Sequence, residues 1–458
     1  MTLSPAPIGI LGLGRSGCAA ARFLSARGVP TLVWDARPEA TRPLADLPHM
    51  VMRSGNPLPT EAFAACRTIL LSPGVPRALP ELAPLLAAGI PILNDVEWLH
   101  RHVRQESPHA HFVGITGSNG KSTVTTLIGE MLRHQGIATA TGGNLGMPAL
   151  ELWHPEIRAY VLELSSFQLE SIDAFHAEVA VHLNLTPDHL DRYPDLEGYR
   201  QAKRRLFANS RPGDRVILNA DDPLLDADRE ELAQRQVTVI PFSTERAMPG
   251  GLYTQDGQLI DHRLSTPVPI LPLKQIRIRG AHNQANAAAA AAAALEAGAS
   301  IATVIAVLTT FPGLPHRMEL VRHLDGVDYF NDSKGTNVGA TLMSLRSFAP
   351  PGESGGGVVL IAGGRDKKGA FSDLAPVAAQ VVTHAILLGE SANDIAQALQ
   401  NNGPRIHRVA DLTQAVRLAR TLATPGQSVL LSPACASFDM FKNFEERGDR
   451  FREAVHEL

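Results

Sequence analysis

The fold of this chain is decided by Gly114-Ile-Thr-Gly-Ser-Asn-Gly-Lys-Ser-Thr-Val-Thr-Thr126, which joins an apolar run to a helical pattern. The run His111–Ile115 predicts a strand, and Thr123–His134 predicts the helix that follows. A glycine-rich turn between a strand and a helix points backbone N–H groups at an anion, and the helix dipole favours negative charge there. The stretch therefore predicts a phosphate-binding loop.

Lys121 and the hydroxyl residues beside it indicate which phosphates this loop would hold. In loops of this kind the lysine reaches the β- and γ-phosphates, and Ser122 or Thr123 supplies a hydroxyl ligand to Mg²⁺. The loop departs from the strict pattern, because Ile115 stands where that pattern has its first glycine. A glycine-rich turn without a ligand is the alternative. The coincidence of lysine, tandem hydroxyls, strand and helix favours ATP.

Size and composition are those of a multidomain globular protein. The 458 residues suggest about three domains, and 44% hydrophobic with 19% charged residues leave ample material for cores. The net charge of -4 argues against a nucleic-acid partner, because such partners attract basic surfaces. Three cysteines without disulfide or metal spacing fit a reducing compartment, so we expect a cytoplasmic protein.

No segment of the sequence predicts export or membrane insertion. Met1–Pro7 lacks a basic stretch leading into a long apolar one, so we expect no signal peptide. The alanine tract Ala287–Ala294 is too short and too weakly apolar to span a bilayer. It predicts a close-packed helix instead.

Strand and helix patterns alternate along the whole chain, which predicts α/β domains with parallel sheets. Two breaks interrupt the pattern: a polar stretch around Ser107-Pro108 and the cluster Phe311-Pro-Gly-Leu-Pro315. The predicted domains are therefore 1–107, 108–314 and 315–458. We expect ligands in the clefts between them.

The first domain opens with a dinucleotide-type fingerprint. Gly12-x-Gly14-x-x-Gly17 follows an apolar strand, and Asp35 lies near the end of the next strand. Such a loop can hold the diphosphate of a nicotinamide dinucleotide or of another nucleotide, or its glycines can serve packing alone. Ser72-Pro-Gly74, after a further strand, is either a turn on the ligand side or an ordinary turn.

Three polar positions in the second domain could serve a metal or phosphate site. Glu163 ends an apolar strand beside the phosphate loop, where Mg²⁺ needs an oxygen ligand, although a solvated strand end is the alternative. His189, between two aspartates, could bind a metal or a phosphate or lie on the surface. Lys203 occupies a helical pattern whose spacing alone indicates a solvated face.

Polar residues near the start of the third domain could complete a site from across the boundary. Arg317 could reach a γ-phosphate bound by the neighbouring domain, as arginine fingers do. The segment Asn331-Asp-Ser-Lys-Gly-Thr-Asn337 is dense in hydrogen-bonding groups after a strand, which favours a binding loop over a plain turn.

Six motifs occur in the order in which the ATP-dependent Mur ligases of peptidoglycan synthesis carry them. They are Ile115-Thr-Gly-Ser-Asn-Gly-Lys-Ser-Thr123, Gly142-Gly-Asn-Leu-Gly146, Leu164-Ser-Ser-Phe-Gln-Leu169, Asp188-His-Leu-Asp-Arg-Tyr193, Asn331-Asp-Ser-Lys-Gly-Thr-Asn337 and Ser432-Pro-Ala-Cys-Ala-Ser-Phe-Asp439. The chain is similar to that family over its whole length. Its last two motifs, with Lys442-Asn-Phe-Glu-Glu-Arg-Gly448, resemble the member that adds D-glutamate.

The resemblance implies an α/β protein of three domains. A Rossmann-like N-terminal domain would bind the UDP part of the substrate. A central P-loop mononucleotide-binding domain would bind ATP and Mg²⁺, and a C-terminal Rossmann-like domain would bind the amino acid. The implied reaction joins D-glutamate to UDP-N-acetylmuramoyl-L-alanine through an acyl phosphate, with release of ADP and phosphate. A carboxylate is a poor acyl donor and phosphorylation supplies its leaving group, so the enzyme contributes positioning and charge neutralisation. A monomer acting on these small molecules is expected.

The resemblance also assigns residues to three ligand sites. The UDP-substrate site would contain Gly14, Arg15, Ser16, Gly17, Asp35, Arg37, Ser72, Pro73, Gly74 and Asn144. The ATP site would contain Gly117, Ser118, Asn119, Gly120, Lys121, Ser122, Thr123, Asn283, Asn286, Arg317, Asp332 and Lys334. D-Glutamate would contact Thr336, Lys367, Ser437, Phe438 and Phe444.

Catalytic roles and two Mg²⁺ sites follow from the same resemblance. The catalytic residues would be Lys121, Asn144, Glu163, His189 and Lys203. Ser122 and Glu163 would bind one metal ion, and His189 with Lys203 a second. Lys203 matches the family lysine that becomes carbamylated, which turns a cation into a carboxylate-like ligand and replaces the solvated-face interpretation.

Two competing hypotheses remain open at this point. One is a related Mur-type ligase that uses a different amino acid. The other is a nicotinamide-dependent oxidoreductase, which would explain Gly12–Gly17 and Asp35 but would leave Lys121 without a role. Arg15 stands where relatives often carry an apolar residue.

Overall fold

The computed structural model describes residues 6–144, 146–188, 192–278, 280–352, 356–366, 370–400 and 403–458. These residues form three α/β units in chain order, each built on its own sheet. Most neighbouring strands are parallel, and most of the connections that lead from one parallel strand to the next contain a helix. His189 and Lys367 lie outside the described residues.

The first unit is a five-stranded parallel sheet. Its strands are β1 Ile8–Leu11, β2 Thr31–Asp35, β3 Met50–Ser54, β4 Thr68–Leu71 and β5 Ile92–Leu93. Its helices are α1 Arg15–Ser25, α2 Thr60–Phe63, α3 Ala83–Ala87 and α4 Asp95–Glu106. The strand order is β3-β2-β1-β4-β5, so the order reverses beside β1. Ligands bind at such a reversal in open α/β sheets, and the loops after β1 and β4 meet there.

The second unit is a nine-stranded sheet. Its strands are β6 His111–Thr116, β7 Thr139–Gly143, β8 Ala159–Glu163, β9 Val179–His182, β10 Arg215–Asn219, β11 Thr238–Ser243, β12 Leu252–Gln255, β13 Gln258–Asp261 and β14 Val268–Pro272. Its helices are α5 Lys121–His134, α6 Ser166–Leu169, α7 Leu196–Arg204, α8 Asp226–Gln234, α9 Ala281–Glu296 and α10 Ile301–Thr310. The order is β14-β13-β12-β11-β10-β9-β6-β8-β7, and among the described strands of this sheet only the pairs within β12–β14 are antiparallel. β6 therefore has its carboxyl end between those of β8 and β9.

The alanine tract confirms the prediction of a close-packed helix. Ala287–Ala294 lie within α9 and are all fully buried. α9 packs against α5, the helix that begins at the phosphate loop. Small side chains allow the two helix backbones to approach closely, so α9 supports α5 from behind.

The third unit is a six-stranded sheet with one antiparallel edge. Its strands are β15 Glu319–Leu324, β16 Val327–Asn331, β17 Val358–Ala362, β18 Val382–Leu387, β19 Arg405–Arg408 and β20 Ser428–Leu431. Its helices are α11 Val338–Leu345, α12 Ala375–Val381, α13 Ala392–Leu399, α14 Leu412–Leu422 and α15 Phe444–His456. The order is β15-β16-β20-β17-β18-β19, and β15 pairs antiparallel with β16. The loops after β16 and β20 therefore emerge side by side.

The first and second units are joined through α4, which runs up to the predicted boundary near Ser107. The carboxylate of Glu97 is fully buried in α4 and accepts hydrogen bonds from the backbone N–H groups of Asp173 (2.9 Å) and Phe175 (2.8 Å). It also pairs with Arg101 at 2.6 Å. A buried carboxylate satisfied in this way fixes α4 on the second unit.

The start of α5 differs from the one that the sequence pattern predicted. α5 begins at Lys121 rather than Thr123. Its first turn contains loop-type residues, which hide their helical conformation from an apolar pattern. None of the helices in the described ranges is long and apolar enough to cross a bilayer.

Candidate active site

The phosphate loop is shaped by two glycines with positive φ. Gly117 has φ +147° and Gly120 has φ +84°, a backbone region that favours glycine. Asn184, two residues after β9, fixes the loop from the side. Its Oδ1 accepts from the backbone N–H of Asn119 (2.8 Å), and its Nδ2 donates to the Asn119 carbonyl (3.1 Å). Asn184 was not predicted to have a role, although a polar residue at the end of an apolar strand was the signal that identified Glu163.

Two lysines converge on the Gly117 carbonyl. Lys121 Nζ donates to it at 2.8 Å and to the Ser118 carbonyl at 2.9 Å. Lys203 Nζ donates to the same Gly117 oxygen at 2.8 Å from α7. Lys203 is only 1% exposed, so the solvated face that its spacing indicated is not where it lies. Burial, reinforced by the positive charge of Lys121, lowers the pKa of the Lys203 amine well below its usual range.

Glu163 lies at the end of β8 and is held by groups from two loops. Ser122 Oγ donates to Oε2 at 2.6 Å, and Asn144 Nδ2 donates to Oε1 at 2.7 Å. Burial raises the pKa of this carboxyl, but the charge of Lys121 and these two hydrogen bonds outweigh it, and the net pKa is lowered. Glu163 is therefore an ionised, oriented carboxylate beside the phosphate loop.

The third unit contributes charged groups to the same place. Arg317 Nη2 donates to Ser122 Oγ at 2.7 Å, across the boundary between the second and third units. Asp332 accepts from Ser344 Oγ (2.7 Å) and Ser432 Oγ (2.8 Å), and burial raises its pKa to about 6. The Lys334 ammonium lies 3.7 Å from the centre of the Phe444 ring, and burial lowers its pKa to about 8.

Arg317 is presented by a strained segment. His316 and Met318 on either side of it have φ of 61° and 47°, the left-handed region that non-glycine residues seldom adopt. The His316 ring lies against Gly448 of α15 so closely that a Cβ at Gly448 would be 2.1 Å from Nδ1. Packing against α15 therefore holds the backbone conformation that directs Arg317 towards Ser122.

These groups line a cavity of about 490 Å³ between the second and third units. The predicted residues that line it are Ser118, Asn119, Gly120, Lys121, Thr123, Asn144, Glu163, Lys203, Asn283, Asn286, Arg317, Asp332, Lys334 and Thr336. Gly117 and Ser122 lie directly behind this lining through the hydrogen bonds given above. Residues to which the sequence analysis gave no role also line it, among them Asn184, Tyr199, Asn219, Phe242 and Met343.

A second cavity, of about 650 Å³, lies at the strand reversal of the first unit. The predicted residues that line it are Gly14, Arg15, Ser16, Asp35, Arg37, Ser72, Pro73, Gly74 and Asn144. Gly17 lies behind the loop, where a Cβ would be 1.9 Å from the Gly12 carbonyl oxygen, so close packing requires glycine there.

Asp35 organises the rim of this second cavity. Its Oδ2 accepts from the backbone N–H of Leu13 (2.7 Å), and its Oδ1 accepts from the Arg37 N–H (2.9 Å) and from Arg37 Nε (3.1 Å). Burial raises the pKa of Asp35, but the Arg37 hydrogen bonds outweigh it and the net pKa is lowered. The carboxylate thus links the loop after β1 to Arg37.

Asn144 is the residue at which the two cavities meet. It lines both of them, while its amide nitrogen donates to Glu163. Its position after β7 places it at the carboxyl edge of the second sheet, facing the first unit. A molecule bound in one cavity can therefore approach a molecule bound in the other at this point.

The residues predicted to contact D-glutamate are not all gathered at the cavity between the second and third units. Thr336 lines that cavity, and Phe444 lies beneath the Lys334 ammonium. Ser437 is buried, whereas the Phe438 side chain is 62% exposed; neither belongs to that lining. Their roles stay predictions, as does that of Lys367.

The donor set beside the phosphate loop suits a hard cation. Within the described residues no group of three or more His, Cys, Asp or Glu side chains forms a metal-binding cluster. The oxygens available are the Ser122 hydroxyl and the Glu163 carboxylate, 2.6 Å apart. Mg²⁺ is commonly held by one or two protein oxygens together with substrate phosphates and water, so this set fits it.

Three α/β units with two cavities joined at one asparagine define a nucleotide-binding enzyme of three domains. Three family models match the chain: "Mur ligase MurD-like, N-terminal domain" over 6–94, "Mur ligase middle domain" over 115–294 and "Mur ligase, glutamate ligase domain" over 316–435. The chain belongs to the Mur ligase family.

Relatives of high similarity carry one name. Proteins of Pseudomonas aeruginosa and Geobacter metallireducens, both named UDP-N-acetylmuramoylalanine–D-glutamate ligase, are 43% and 41% identical to this chain. The first alignment covers 98% of this chain and 97% of the relative, and the second covers 100% and 99%.

Solved structures of more distant proteins share the fold. UDP-N-acetylmuramate-alanine ligase from Thermotoga maritima gives a TM-score of 0.60 at 19% identity, covering 98% of this chain and 99% of that one. A pseudomurein peptide ligase type C from Methanothermus fervidus gives 0.62 at 16% identity, covering 99% of both chains.

Proposed function

We propose that this chain adds D-glutamate to UDP-N-acetylmuramoyl-L-alanine in an ATP-dependent reaction of peptidoglycan precursor synthesis. The observation that carries the proposal is the position of Asn144, which lines both cavities and donates to Glu163 at 2.7 Å. A UDP-linked substrate in the first cavity would extend its carboxylate past Asn144 towards the γ-phosphate end of ATP. In this scheme 1–107 binds the nucleotide part, 108–314 binds ATP and 315–458 binds the amino acid.

The substrate carboxylate would attack the γ-phosphorus of ATP and form an acyl phosphate, while the bond from the γ-phosphorus to the bridging oxygen breaks and ADP leaves. The amine of D-glutamate would then attack the acyl carbon, and phosphate would leave as the amide forms. Lys121 would neutralise the transferring phosphoryl group, and Arg317 would add charge from the third domain. Asn144 would orient the carboxylate through its amide. Positioning of this kind accounts for much of the acceleration expected of phosphoryl-transfer enzymes.

Ser122 and Glu163 would hold one Mg²⁺, and Lys203 with His189 would hold a second. When bound, these ions would neutralise charge on the phosphate oxygens. Lys203 would serve as a carbamate, formed when its neutral amine adds to the carbon of CO₂ and loses a proton. The lowered pKa of the Lys203 amine supports this step, because only the unprotonated amine is a nucleophile.

The remaining assignments complete the proposal. Asp332, Lys334, Asn283 and Asn286 would bind ATP from the far side of the cavity that they line. Contacts to D-glutamate would come from Thr336, Lys367, Ser437, Phe438 and Phe444. The protein would work as a cytoplasmic monomer with these small molecules as its only partners.

The proposal is tested by phosphate release from purified protein. Release should require ATP, Mg²⁺, UDP-N-acetylmuramoyl-L-alanine and D-glutamate together. Equal release with L-lysine, diaminopimelate or L-alanine in place of D-glutamate would assign the chain to a related ligase. NADH binding detected by fluorescence, without binding of UDP, would instead support the oxidoreductase hypothesis.

A further inference from the structure

Among the described residues, two of the hydrogen bonds that cross between the first and second domains at the UDP-substrate cavity run from an arginine to a backbone carbonyl. Arg192 of the second domain donates through Nη1 to the Pro73 carbonyl of the first (3.1 Å). Arg15 of the first domain donates through Nη2 to the Gly146 carbonyl of the second. An arginine of each domain therefore holds a loop of the other domain.

The Arg192 guanidinium is fixed before it reaches Pro73. Its Nη2 pairs with Glu170 Oε2 at 2.6 Å, and its carbon lies 3.9 Å from the centre of the Phe167 ring. The Arg192 side chain is only 18% exposed and that of Glu170 19%. A planar guanidinium held on one edge by a carboxylate and on one face by a ring presents its remaining N–H groups in a set direction.

Pro73 is a lining residue of the cavity, whereas Arg192 is not among those lining residues. Arg192 therefore acts on a ligand through the Ser72–Gly74 loop and is a positioning residue. On the other side, Arg15 lines the cavity itself, and its partner Gly146 follows closely on Asn144, the residue shared with the ATP cavity.

We infer that Arg192 and Arg15 form a pair of reciprocal interdomain latches that set the separation of the two loops across the UDP-substrate cavity. The latches fix where the nucleotide lies relative to Asn144. The identity of the ligand in this inference rests on the proposed function; the latch geometry does not. Loss of either latch would cost affinity for the UDP compound, because binding would then have to order the loops.

The decisive variant is Arg192→Lys, which keeps the charge beside Glu170 but lacks a second nitrogen for Pro73. Arg101→Lys is the matched control, since Arg101 also joins the two domains, through Asp173 (2.7 Å), away from the cavity. Arg15→Met removes the opposite latch. Calorimetric titration with UDP should show about a tenfold rise in Kd for Arg192→Lys, or about 1.4 kcal/mol. Arg101→Lys should match the wild type, and the affinity for ATP should be unchanged in all three variants.

A second readout separates a latch from a direct ligand contact. Without any ligand, backbone amides of the segment 72–79 should exchange hydrogen faster in Arg192→Lys than in the wild type or Arg101→Lys. The inference would be overturned if Arg192→Lys changed neither the hydrogen exchange of the segment 72–79 nor the affinity for UDP. It would also be overturned if Arg192→Lys and Arg101→Lys had equal effects on these two measurements. If Arg192→Lys fails to fold, Arg15→Met tests the inference instead. Its affinity for UDP and the hydrogen exchange of its segment 146–152 are then the two measurements. Wild-type protein that does not bind UDP would refute the proposed function, while the exchange measurement would still test the latches.

Discussion

Lys121 and Lys203 donate to one and the same acceptor, the Gly117 carbonyl oxygen, each at 2.8 Å. Two ammonium groups that share one oxygen repel each other, and burial makes the charge on Lys203 costly. The lowered pKa of the Lys203 amine follows from this arrangement. One lysine of the phosphate loop, Lys121, is thus suited to bind phosphate, and Lys203, which reaches the loop from α7, is suited to react as an amine.

Lys203→Ala should lower the rate of phosphate release by roughly 10²–10³-fold, the scale seen when one preorganised charge-stabilising group is removed. Small carboxylic acids such as formate should restore part of the activity by occupying the position of the carbamate. The exposed Lys274 offers a control, because Lys274→Ala should show neither loss nor response to the acids. Wild-type activity in Lys203→Ala would remove Lys203 from the mechanism.

Glu163→Gln should weaken the affinity for Mg²⁺ without destabilising the fold. The glutamine oxygen can still accept from Ser122 or Asn144, but the charge that attracts the cation is lost. We expect a shift of the Mg²⁺ activation midpoint to higher concentration by about tenfold or more, together with a lower maximal rate. Glu130→Gln, on the exposed side of the same α5 helix, should leave the Mg²⁺ titration in place. An unshifted midpoint in Glu163→Gln would contradict the metal assignment.

Gly17→Ala should destabilise the first domain and abolish binding of UDP. The added Cβ would be 1.9 Å from the Gly12 carbonyl oxygen, and backbone atoms have little freedom to give way. A loss of roughly 1–3 kcal/mol in the free energy of unfolding is expected, as for overpacked cores. Gly14→Ala is the stability control, since the nearest atom to its Cβ would be Ser72 Oγ at 3.6 Å. Thermal unfolding of the two variants should therefore differ, and equal melting temperatures would refute the close-packing argument.

Asp332→Asn should gain stability relative to the wild type as the pH rises. The folded-state pKa of Asp332 is raised to about 6 from its ordinary 3.8, so the folded protein binds more protons than the unfolded one in this window. The stability that this carboxyl contributes is present at low pH and is lost as the pH rises through about 6, by up to about 3 kcal/mol. Melting temperatures of Asp332→Asn and wild type should diverge between pH 4 and pH 7.5.

The exposed turn carboxylate Asp256 supplies the control for that experiment. Asp256→Asn should keep a constant difference in melting temperature from the wild type over the same pH range. A constant difference for Asp332→Asn would show that the buried carboxyl does not titrate as proposed. Phosphate release should fall in Asp332→Asn above about pH 6, where the ionised carboxylate is proposed to bind ATP.

Local patterns were enough to predict the parts of the fold that follow from neighbours in the chain. Four features appear where periodicity indicated them: the strand before Gly117, the helix after it, the alanine-rich helix and the polar strand end at Glu163. The pairing of β15 with β16 and the extent of α4 were not predicted. Both depend on partners elsewhere in the chain: β16 gives β15 an edge to pair with, and α4 packs against the second domain.

The sequence by itself determined a phosphate loop, three α/β domains and membership of a family, because glycine spacing, apolar periodicity and ordered motifs are local properties of the chain. Only the tertiary structure decided where the charges lie. It placed Lys203, whose spacing alone indicated a solvated face, in a buried position on Gly117, brought Arg317 to Ser122 across a domain boundary, and placed Asn144 between two cavities. These relationships depend on burial and on distances between residues far apart in sequence, and no spacing within one segment encodes them.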